Sequence, residues 1–476
     1  MKTYLQVLSD DERERVHEHT LALLETKGLR VDTAEGRRIL AAAGALVDES
    51  TRMVRFPRDL VAEMLGRVPE AFSLGGRRPG FSLPMNAGGF TLLADGGGTL
   101  VIDHETGERR QGVQQDWLDS TRLIDAIDDV GLYWWMVEAD IDVSSPSGLI
   151  TYWRHLAANF SKHIQDSFGD AGLAPWLLEA LEIVHGGPDG IRATHPFSFL
   201  ITPTSPLVIE EHYTDMWLAL RGYDVPVAVM NMPLMGATAP GSMIGTVVLG
   251  NAEVIATLCL VEAAEPGAPF IYAPALAAMD PRSGSLSGGG IEHAVMSAAA
   301  TEMARYYGLP VEASGCGTQQ YVPGIQAAYE KATTALFATL ALPDILVGPG
   351  SLGGATIISL EQLIIDVEVF RICVKAQRGI NTADEMWLQD VLEKVAPAGD
   401  FLREASTRRN ARNGEWFLNE LGVHESFHHW DEAGRPSLVD EAHAKVSQIL
   451  ATHEPLPLDD DVERELEKLQ KKADEA

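Results

Sequence analysis

Short apolar runs alternate with longer helical stretches along most of this 476-residue chain. Seven runs begin 30 to 43 residues apart, a spacing that suits one β-strand followed by one α-helix in each unit. The runs are Leu132–Val137, His163–Phe168, Phe197–Thr202, Val227–Met232, Phe270–Ala273, Val311–Ser314 and Ile345–Val347. Continuous apolar runs between helices predict parallel strands that are covered on both faces. The sequence therefore predicts an α/β fold, a TIM-type (β/α)8 barrel in which one strand lacks a clear signal.

A doubly wound parallel sheet is the alternative architecture for the same repeat. Such sheets normally carry a glycine-rich turn that binds phosphate. The sequence contains neither GxGxxG after a predicted strand nor GxxxxGK followed by Ser or Thr. The barrel is therefore the favoured prediction.

The segments around the repeat divide the chain into three predicted regions. Residues 1–115 form an N-terminal helical and hairpin extension, 116–380 the barrel, and 381–476 a C-terminal helical segment with a charged tail. The hairpin is predicted because Asp95–Gly98 separates two β-prone runs. The remaining elements of the flanking regions are predicted helices near 9–28, 32–44, 382–395 and 400–421, and a solvated helix or frayed end at 461–475.

The composition excludes several classes of protein. With 37 basic and 68 acidic residues, the formal charge is −31, so we expect neither nucleic acid nor an anionic membrane as a partner. The three cysteines, Cys259, Cys316 and Cys373, are too widely spaced for a CxxC pair, and no disulfide framework is expected. Because no stretch reads as a signal peptide or a membrane span, we expect a cytoplasmic protein.

The loops that follow barrel strands form the expected active-site mouth. These loops contain neither HExxH nor a GxSxG turn after a strand, and their only carboxylates are Glu138 and Asp166. Amides, hydroxyls and aromatic rings dominate instead. Such a mouth is expected to hold a polar ligand rather than to hydrolyse one, and no metal site is predicted there.

Five short segments carry a resemblance to a known family. They are, in chain order, Pro233–Pro240 (PLMGATAP), Asn251–Glu253 (NAE), Pro266–Pro269 (PGAP), Tyr306–Pro310 (YYGLP) and Gln326–Lys331 (QAAYEK). Their order and spacing resemble the trimethylamine methyltransferase family over most of the chain, to about residue 450. The resemblance implies an α/β barrel that delivers a methyl group to Co(I) of a corrinoid. The corrinoid is carried by a separate small protein, so no tightly bound cofactor is expected.

One departure from the family bears on the substrate. Trimethylamine-specific members carry pyrrolysine on the barrel, and the resemblance places that position near Gly315–Tyr321. This chain has only standard residues there. The resemblance therefore favours the branch that demethylates quaternary amines such as glycine betaine, with trimethylamine or another methylamine as the alternative.

A quaternary amine also suits a mouth with few acids. When it loses a methyl group, the leaving group is already a neutral tertiary amine, whereas trimethylamine would need activation at nitrogen. The enzyme must then position the cation, and aromatic faces bind such cations at about 0.5–2 kcal/mol each. The aromatic candidates are Tyr133, Trp134, Trp135, Tyr272 and Tyr321, and the candidate donors for a betaine carboxylate are His163, Gln165, Thr202, Asn231, Gln319 and Gln320.

The predicted substrate-binding set is narrower. It comprises Trp135, Gln165, Thr202, Asn231, Tyr272, Gln319, Gln320 and Tyr321, and no catalytic residue is assigned. For each of these residues, a role in packing is the alternative to a role in ligand binding. Successive residues of a strand face opposite ways, so at most half of Tyr133, Trp134 and Trp135 can line the mouth. Cys316 reads more simply as a small buried thiol.

Two further functions remain open from the residues alone. A barrel hydrolase or lyase would use Glu138 or Asp166, and a non-catalytic binder of quaternary amines would keep only the aromatic cage. His424, His428 and His429 have a spacing that could bind a metal, but they lie outside the repeat and read more simply as surface residues. A homo-oligomer is compatible with the sequence.

Overall fold

A computed structural model describes residues 3–476. Its strands are β1 (Leu29–Val31), β2 (Leu46–Asp48), β3 (Met53–Arg55), β4 (Ser73–Gly75), β5 (Ser82–Pro84), β6 (Thr91–Leu93), β7 (Leu100–Ile102), β8 (Arg109–Gln111), β9 (Val130–Tyr133), β10 (His163–Asp166), β11 (Phe197–Ile201), β12 (Val208–Ile209), β13 (Val227–Val229), β14 (Leu234–Met235), β15 (Phe270–Tyr272), β16 (Ala277–Met279), β17 (Leu286–Ser287), β18 (Glu312–Ser314), β19 (Ile345–Val347), β20 (Ser351–Leu352) and β21 (Ile357–Ile358). Its α-helices are α1 (Asp10–Thr26), α2 (Ala34–Ala42), α3 (Arg58–Leu65), α4 (Gln114–Ala126), α5 (Pro146–Asn159), α6 (Ala174–His185), α7 (Pro188–Thr194), α8 (His212–Ala219), α9 (Met243–Ala264), α10 (Ile291–Tyr306), α11 (Ile325–Leu340), α12 (Leu360–Arg378), α13 (Gln389–Lys394), α14 (Ala405–Asn410), α15 (Phe427–Glu432), α16 (Leu438–Thr452) and α17 (Asp460–Asp474). Short 3-10 turns lie at Ala171–Leu173 and Asp384–Met386.

Eight parallel strands form the central sheet, in the order β15-β13-β11-β10-β9-β6-β19-β18. A parallel bridge between Tyr272 and Val311 joins the two edge strands, and the Tyr272 backbone N–H donates to the Pro310 carbonyl over 2.9 Å. The sheet therefore closes into a barrel with helices around it, which confirms the predicted fold class. Six of the seven predicted apolar runs contain a barrel strand, and the seventh, Leu132–Val137, overlaps the end of β9.

The eighth strand lies where the sequence predicted a hairpin. β6 pairs in parallel with β19 and β9, so the hairpin around Asp95–Gly98 is wrong. The glycines serve close packing instead: a Cβ on Gly96 would lie 1.9 Å from the Trp135 carbonyl oxygen. β7 pairs with β8 and β21 outside the barrel. The first barrel strand thus lies inside the segment assigned to the extension, and the division of the chain at residues 115 and 380 stays a prediction.

Successive strand residues point in turn into the barrel interior and outward to the surrounding helices. The interior cluster comprises Leu93, Leu132, Leu200, Ala228, Ile271, Ala273 and Ile345, with Leu74 and Met85 from the β4–β5 region. Burying one large apolar side chain stabilises the fold by about 1.5–3 kcal/mol, so this layer holds the strands firmly. The opposite parity points outward into the helical layer, and this alternation decides which side chains can reach the mouth.

Helix α9 is buried on nearly every side. It packs against α1, α2 and α3 of the N-terminal segment and against α10. Among residues 3–476 it is the one helix long and apolar enough to cross a membrane, although 83% of its most apolar window is buried inside the protein. The expectation that no stretch resembles a membrane span is therefore wrong, because the length and composition of α9 meet that description. The burial is that of a core helix.

The C-terminal region differs from its prediction. Only short helices, α13 and α14, lie within the two stretches predicted as helices at 382–395 and 400–421. Ala398 has a positive φ of 66°, and the Pro397–Gly399 region interrupts the backbone between them. The tail helix α17 is not wholly solvated either. Its residues Leu466, Leu469 and Ala473 are buried, and the helix packs against α5 and α6.

We expect Leu466→Ala to lower the free energy of unfolding by about 2–3 kcal/mol, because it leaves a cavity beneath α17. Leu466 is 1% exposed, whereas Leu418 is 72% exposed. Leu418→Ala is the matched control, with an expected change within about 0.5 kcal/mol. Urea unfolding of both variants measures the difference. Equal stabilities would mean that α17 contributes nothing to the fold.

Candidate active site

The mouth of the barrel begins at the end of β9, where three aromatic residues follow one another. Tyr133 faces the helices: its hydroxyl accepts from Trp117 Nε1 over 2.8 Å and lies 2.7 Å from the Tyr152 hydroxyl. Trp134 packs against the interior cluster, and its ring stacks on Trp135 at 5.8 Å between centroids. The expected alternation therefore holds here, with Trp134 as the inward ring.

Gln165 and Glu312 meet inside the barrel. Their strands, β10 and β18, are four apart in a ring of eight, so they lie on opposite sides. Gln165 Nε2 donates to Glu312 Oε2 over 3.0 Å, which places a hydrogen bond across the interior. The two residues are 1% and 2% exposed. The interpretation of the site as poor in acids is therefore wrong, because a strand residue supplies a carboxyl group.

Glu312 lacks a positive partner. Burial raises its pKa to about 7, and the hydrogen bond from Gln165 opposes that rise. Within the described chain, no Lys, Arg or His offsets its burial, and the hydrogen bond from Gln165 is the one interaction that does. Gln165 Oε1 is also buried without a hydrogen-bond partner. A buried carboxyl beside an unsatisfied amide oxygen is costly unless a ligand completes it.

A second carboxylate, Asp95, lies just after β6. The Gly96 backbone N–H donates to it over 3.0 Å, and the Ser351 hydroxyl donates to its other oxygen. Burial raises the pKa of Asp95, while the hydrogen bond from Ser351 and the charge of Lys331 oppose that rise. Asp95 therefore has neighbours that stabilise its negative charge, whereas Glu312 has no basic neighbour among the described residues.

The loop after β18 is held by helix α11. Glu330 Oε2 accepts from Thr318 Oγ1 over 2.6 Å and from the Gln319 N–H over 2.9 Å. Lys331 Nζ donates to the Cys316 carbonyl over 2.7 Å and to Asp366 Oδ2 over 2.8 Å. The Gln326–Lys331 segment thus fixes the backbone of the loop at two points.

Three predicted site residues lie along this loop, at the rim. Gln319 Oε1 accepts from the Gly288 N–H over 3.1 Å, and Gln320 Nε2 lies 3.4 Å from Gln326 Oε1. Tyr321 is 59% exposed. Their polar groups already have protein partners or solvent. They border the mouth without lining the interior.

The structure does not bring Asn231 and Tyr272 to the interior. Asn231 Nδ2 donates to Glu253 Oε2 over 2.5 Å, and the Tyr272 hydroxyl donates to Asn251 Oδ1 over 2.9 Å. Both acceptors belong to α9, because these two residues occupy outward positions of their strands. Thr202 has the same parity as the interior residue Leu200 and is partly buried at the mouth.

His163 and Cys316 have unreactive surroundings. His163 lies at the opposite end of β10, where its ring nitrogens contact the Gly75 carbonyl and Ser198 Oγ. Burial lowers the pKa of His163 to about 3, so the ring is neutral and cannot act as a charged donor. Burial also raises the pKa of the Cys316 thiol well above its usual value. Cys316 is therefore a protonated structural thiol.

Beside the mouth, a cavity of about 410 Å³ lies between the ends of β9 and β10 and the helices. Trp135, Glu138, Tyr152 and Asp166 line it. Asp166 faces α5, since its oxygens accept from the Tyr152 hydroxyl over 2.6 Å and the Ser167 N–H over 2.8 Å. Burial raises its pKa to about 7. Glu138 is exposed. The two acids expected for a hydrolase therefore do not converge on the barrel axis.

A larger groove of about 1020 Å³ lies between α1 and residues 237–249. Its described lining includes Arg15, Lys27 and one acid, Glu12, but no Trp, Tyr or Phe side chain. A surface with these cations and no aromatic face is poorly suited to a positively charged amine.

Four acids of the mouth region were not predicted from the sequence: Asp95, Glu312, Glu330 and Asp366. A signal existed for Glu312, because a charged residue inside an apolar strand must face a polar interior or a partner. The others reach the site from a glycine-rich turn or from helices, and spacing alone does not reveal that.

The chain is similar to known proteins over its whole length. A family model described as trimethylamine methyltransferase (MTTB) matches residues 2–476. Trimethylamine methyltransferase MttB of Methanosarcina barkeri (strain Fusaro / DSM 804) is 29% identical over 99% of this chain and 96% of its own. Glycine betaine methyltransferase of Desulfitobacterium hafniense (strain Y51) is 28% identical over 97% and 95%.

Among solved structures, the monomethylamine methyltransferase MtmB of Methanosarcina barkeri aligns over 97% of this chain and 92% of its own. The TM-score is 0.47 at 11% identity. The whole-length family match, together with the closed barrel, determines the assignment. This chain belongs to the trimethylamine methyltransferase family and is a methyltransferase of the corrinoid-dependent kind.

Proposed function

We propose that this enzyme transfers a methyl group from a quaternary amine similar to glycine betaine to Co(I) of a corrinoid carried by a small partner protein. One observation carries the choice of a cationic substrate: Glu312 is a buried carboxyl group without a positive partner. A cation bound beside Glu312 would supply the missing charge. Burial would also strengthen the attraction, because water screens it little there.

The reaction needs positioning more than acid catalysis. One C–N bond breaks, the methyl group passes to cobalt as the acceptor, and the C–N electron pair stays on nitrogen. The product is a neutral tertiary amine, so no proton has to be supplied. Glu312 holds the charge of the ammonium group, and Trp134, which packs against the interior cluster, supplies the aromatic face.

Thr202 and the residues at the rim are assigned to the polar end of the substrate. Thr202 lies on the inward face of its strand, whereas the unsatisfied atom of Gln165 is an oxygen acceptor and is assigned to the ammonium end beside Glu312. Gln319, Gln320 and Tyr321 lie at the rim, and Trp135 lines the cavity beside the mouth. A betaine carboxylate would face Thr202 and the rim amides, which leaves one N-methyl group toward the open mouth.

Trimethylamine or another tertiary methylamine is a second candidate, favoured by one feature of the same residue. The pKa of Glu312 is raised to about 7, so a large fraction of the group is protonated at neutral pH. A protonated carboxyl could deliver the proton that a tertiary amine needs before it can lose a methyl group.

The partners follow from the proposed reaction. The acceptor is a corrinoid protein that docks over the mouth, and the enzyme itself binds no cofactor tightly. The net charge of −31 disfavours nucleic acid and anionic membrane as partners. We place the enzyme in the cytoplasm and consider a homo-oligomer compatible with the fold.

A methylation assay tests the substrate. Purified enzyme, a reduced corrinoid protein and a panel of methylated amines are mixed, and methylcobalamin formation is followed by its visible spectrum. We expect turnover with glycine betaine and none with trimethylamine. Turnover with trimethylamine alone would select the second candidate, and Co(I) left unmethylated by every amine would overturn both.

A further inference from the structure

Two histidines and a glutamate from three distant parts of the chain meet outside the barrel. His104 follows β7, Glu361 lies in the first turn of α12, and His443 is on α16. His104 Nδ1 lies 2.6 Å and His443 Nδ1 3.2 Å from the same oxygen, Glu361 Oε1. Among residues 3–476, this is the group of His, Cys, Asp and Glu side chains whose ligand atoms converge, all within 4.8 Å of one another. The His424, His428 and His429 group does not converge in this way.

Neighbouring side chains orient this cluster as they would in a metal site. Ser447 Oγ lies 2.9 Å from His104 Nε2, so the ring can donate its N–H there once an ion replaces the proton shared by Nδ1 and Glu361 Oε1, which lie 2.6 Å apart. Ser359 Oγ donates to Glu361 Oε2 over 2.9 Å and leaves Oε1 for the histidines. Such outer hydrogen bonds accompany most metal-bound histidines and carboxylates.

Part of the geometry matches what zinc requires, and the two imidazole rings, stacked at 4.1 Å between centroids, would turn toward a bound ion. Zinc binds imidazole nitrogen and carboxylate oxygen at about 2.0–2.2 Å, so tetrahedral ligand atoms lie roughly 3.3 Å apart. The observed separations from Glu361 Oε1, 2.6 and 3.2 Å, need only small movements to reach that value. Glu361 is 5% exposed, and the side chain of His443 is 46% exposed, which leaves an open side for water as the fourth ligand.

The surroundings favour a cation and provide access. A cavity of about 240 Å³ beside His104 is lined by Asp103, Asp116 and Asp119. Arg110 pairs with two of these acids, and Asp119 accepts a hydrogen bond from Gln115 and lies 3.9 Å from Arg122. The excess negative charge lowers the cost of bringing a divalent ion to this place.

From these contacts we propose that His104, Glu361 and His443 bind a divalent transition metal, with zinc as the favoured ion. The site is structural. It joins α16 to α12 and to the β7–β8 hairpin, so a bound ion stabilises the attachment of the C-terminal helices. It lies apart from the barrel interior and does not take part in methyl transfer.

Zinc binding to the full-length protein tests this site. After EDTA treatment and dialysis, we expect calorimetry and elemental analysis to give one Zn²⁺ per chain. Saturating Zn²⁺ should raise Tm by roughly 2–4 °C. Co²⁺ in place of zinc should give the visible absorption of a four-coordinate ion.

His443→Ala is the informative variant, because this residue is half-exposed and its loss should leave the fold intact. We expect the variant to bind zinc about 100-fold more weakly and to lose the Tm shift, while its Tm without metal equals that of the wild type. His428→Ala is the matched control, since His428 also pairs with a glutamate, Glu432, over 3.2 Å. Equal zinc binding by wild type and His443→Ala, or no uptake by the wild type, would overturn the proposal.

Discussion

Lys331→Met is expected to lower the free energy of unfolding by about 3–5 kcal/mol, because it leaves a buried carboxylate without its positive partner. Lys331 and Asp366 are both completely buried and lie 2.8 Å apart. The same ammonium group also satisfies the carbonyls of Cys316 and Gly348, at 2.7 and 3.2 Å. Urea unfolding measures the loss. Methyl transfer should fall as well, since the loop after β18 loses an anchor.

Two controls separate this effect from a general loss of charge. In the double variant Lys331→Met, Asp366→Asn, the remaining group is neutral, so we expect about half of the lost stability to return. Lys468→Met removes an exposed lysine paired with Glu465 over 2.6 Å and should cost less than about 0.5 kcal/mol. A Lys331→Met variant as stable as Lys468→Met would show that the buried pair does not hold the loop.

Glu312→Gln is expected to weaken amine binding by about 10- to 100-fold and to remove its dependence on pH. The ionised form of Glu312 attracts the cation, and its pKa lies at about 7. The affinity of the wild type should therefore rise roughly tenfold between pH 6 and pH 8, whereas the variant has no charge to gain. Calorimetric titration with glycine betaine across this range measures both effects. Activity with a tertiary amine would instead fall as pH rises, because there the protonated form acts.

Asp166→Asn is the matched control, since burial raises the pKa of Asp166 to about 7 as well. A carboxyl whose pKa is raised on folding stabilises the protein at low pH, and this contribution is lost as pH rises from about 4 through 7. Relative to the wild type, both variants should thus gain about 2–3 kcal/mol of stability between pH 5 and pH 8. Only Glu312→Gln should alter amine affinity. The reverse result would move the substrate to the cavity beside Trp135.

The barrel could be predicted because its strands are continuous apolar runs between helices. The barrel strand at Thr91–Leu93 was not predicted, because the glycines after it have the composition of a tight turn. Their actual role, close approach to the Trp135 backbone, depends on a strand about 40 residues away. A local pattern cannot distinguish these two uses of glycine.

The site was only partly predictable for a related reason. Strand parity predicts that Trp134 and Trp135 face different ways, but it does not say which faces inward. Asn231 and Tyr272 have the residue types expected at a mouth, yet their partners lie on α9. Glu312 and Gln165 meet across the ring, and that pairing depends on the stagger of strands far apart in sequence.

The enclosure of α9 has a consequence for how the chain is made. The ribosome finishes the first three helices on the order of ten seconds before it reaches Met243, at about 5–20 residues per second. The apolar helix α9 is therefore synthesised after α1, α2 and α3, the N-terminal helices against which it packs. In a circularly permuted chain with α1, α2 and α3 at the C-terminus, α9 would leave the ribosome before these helices. Its apolar surface would then be exposed to chaperones and to other nascent chains.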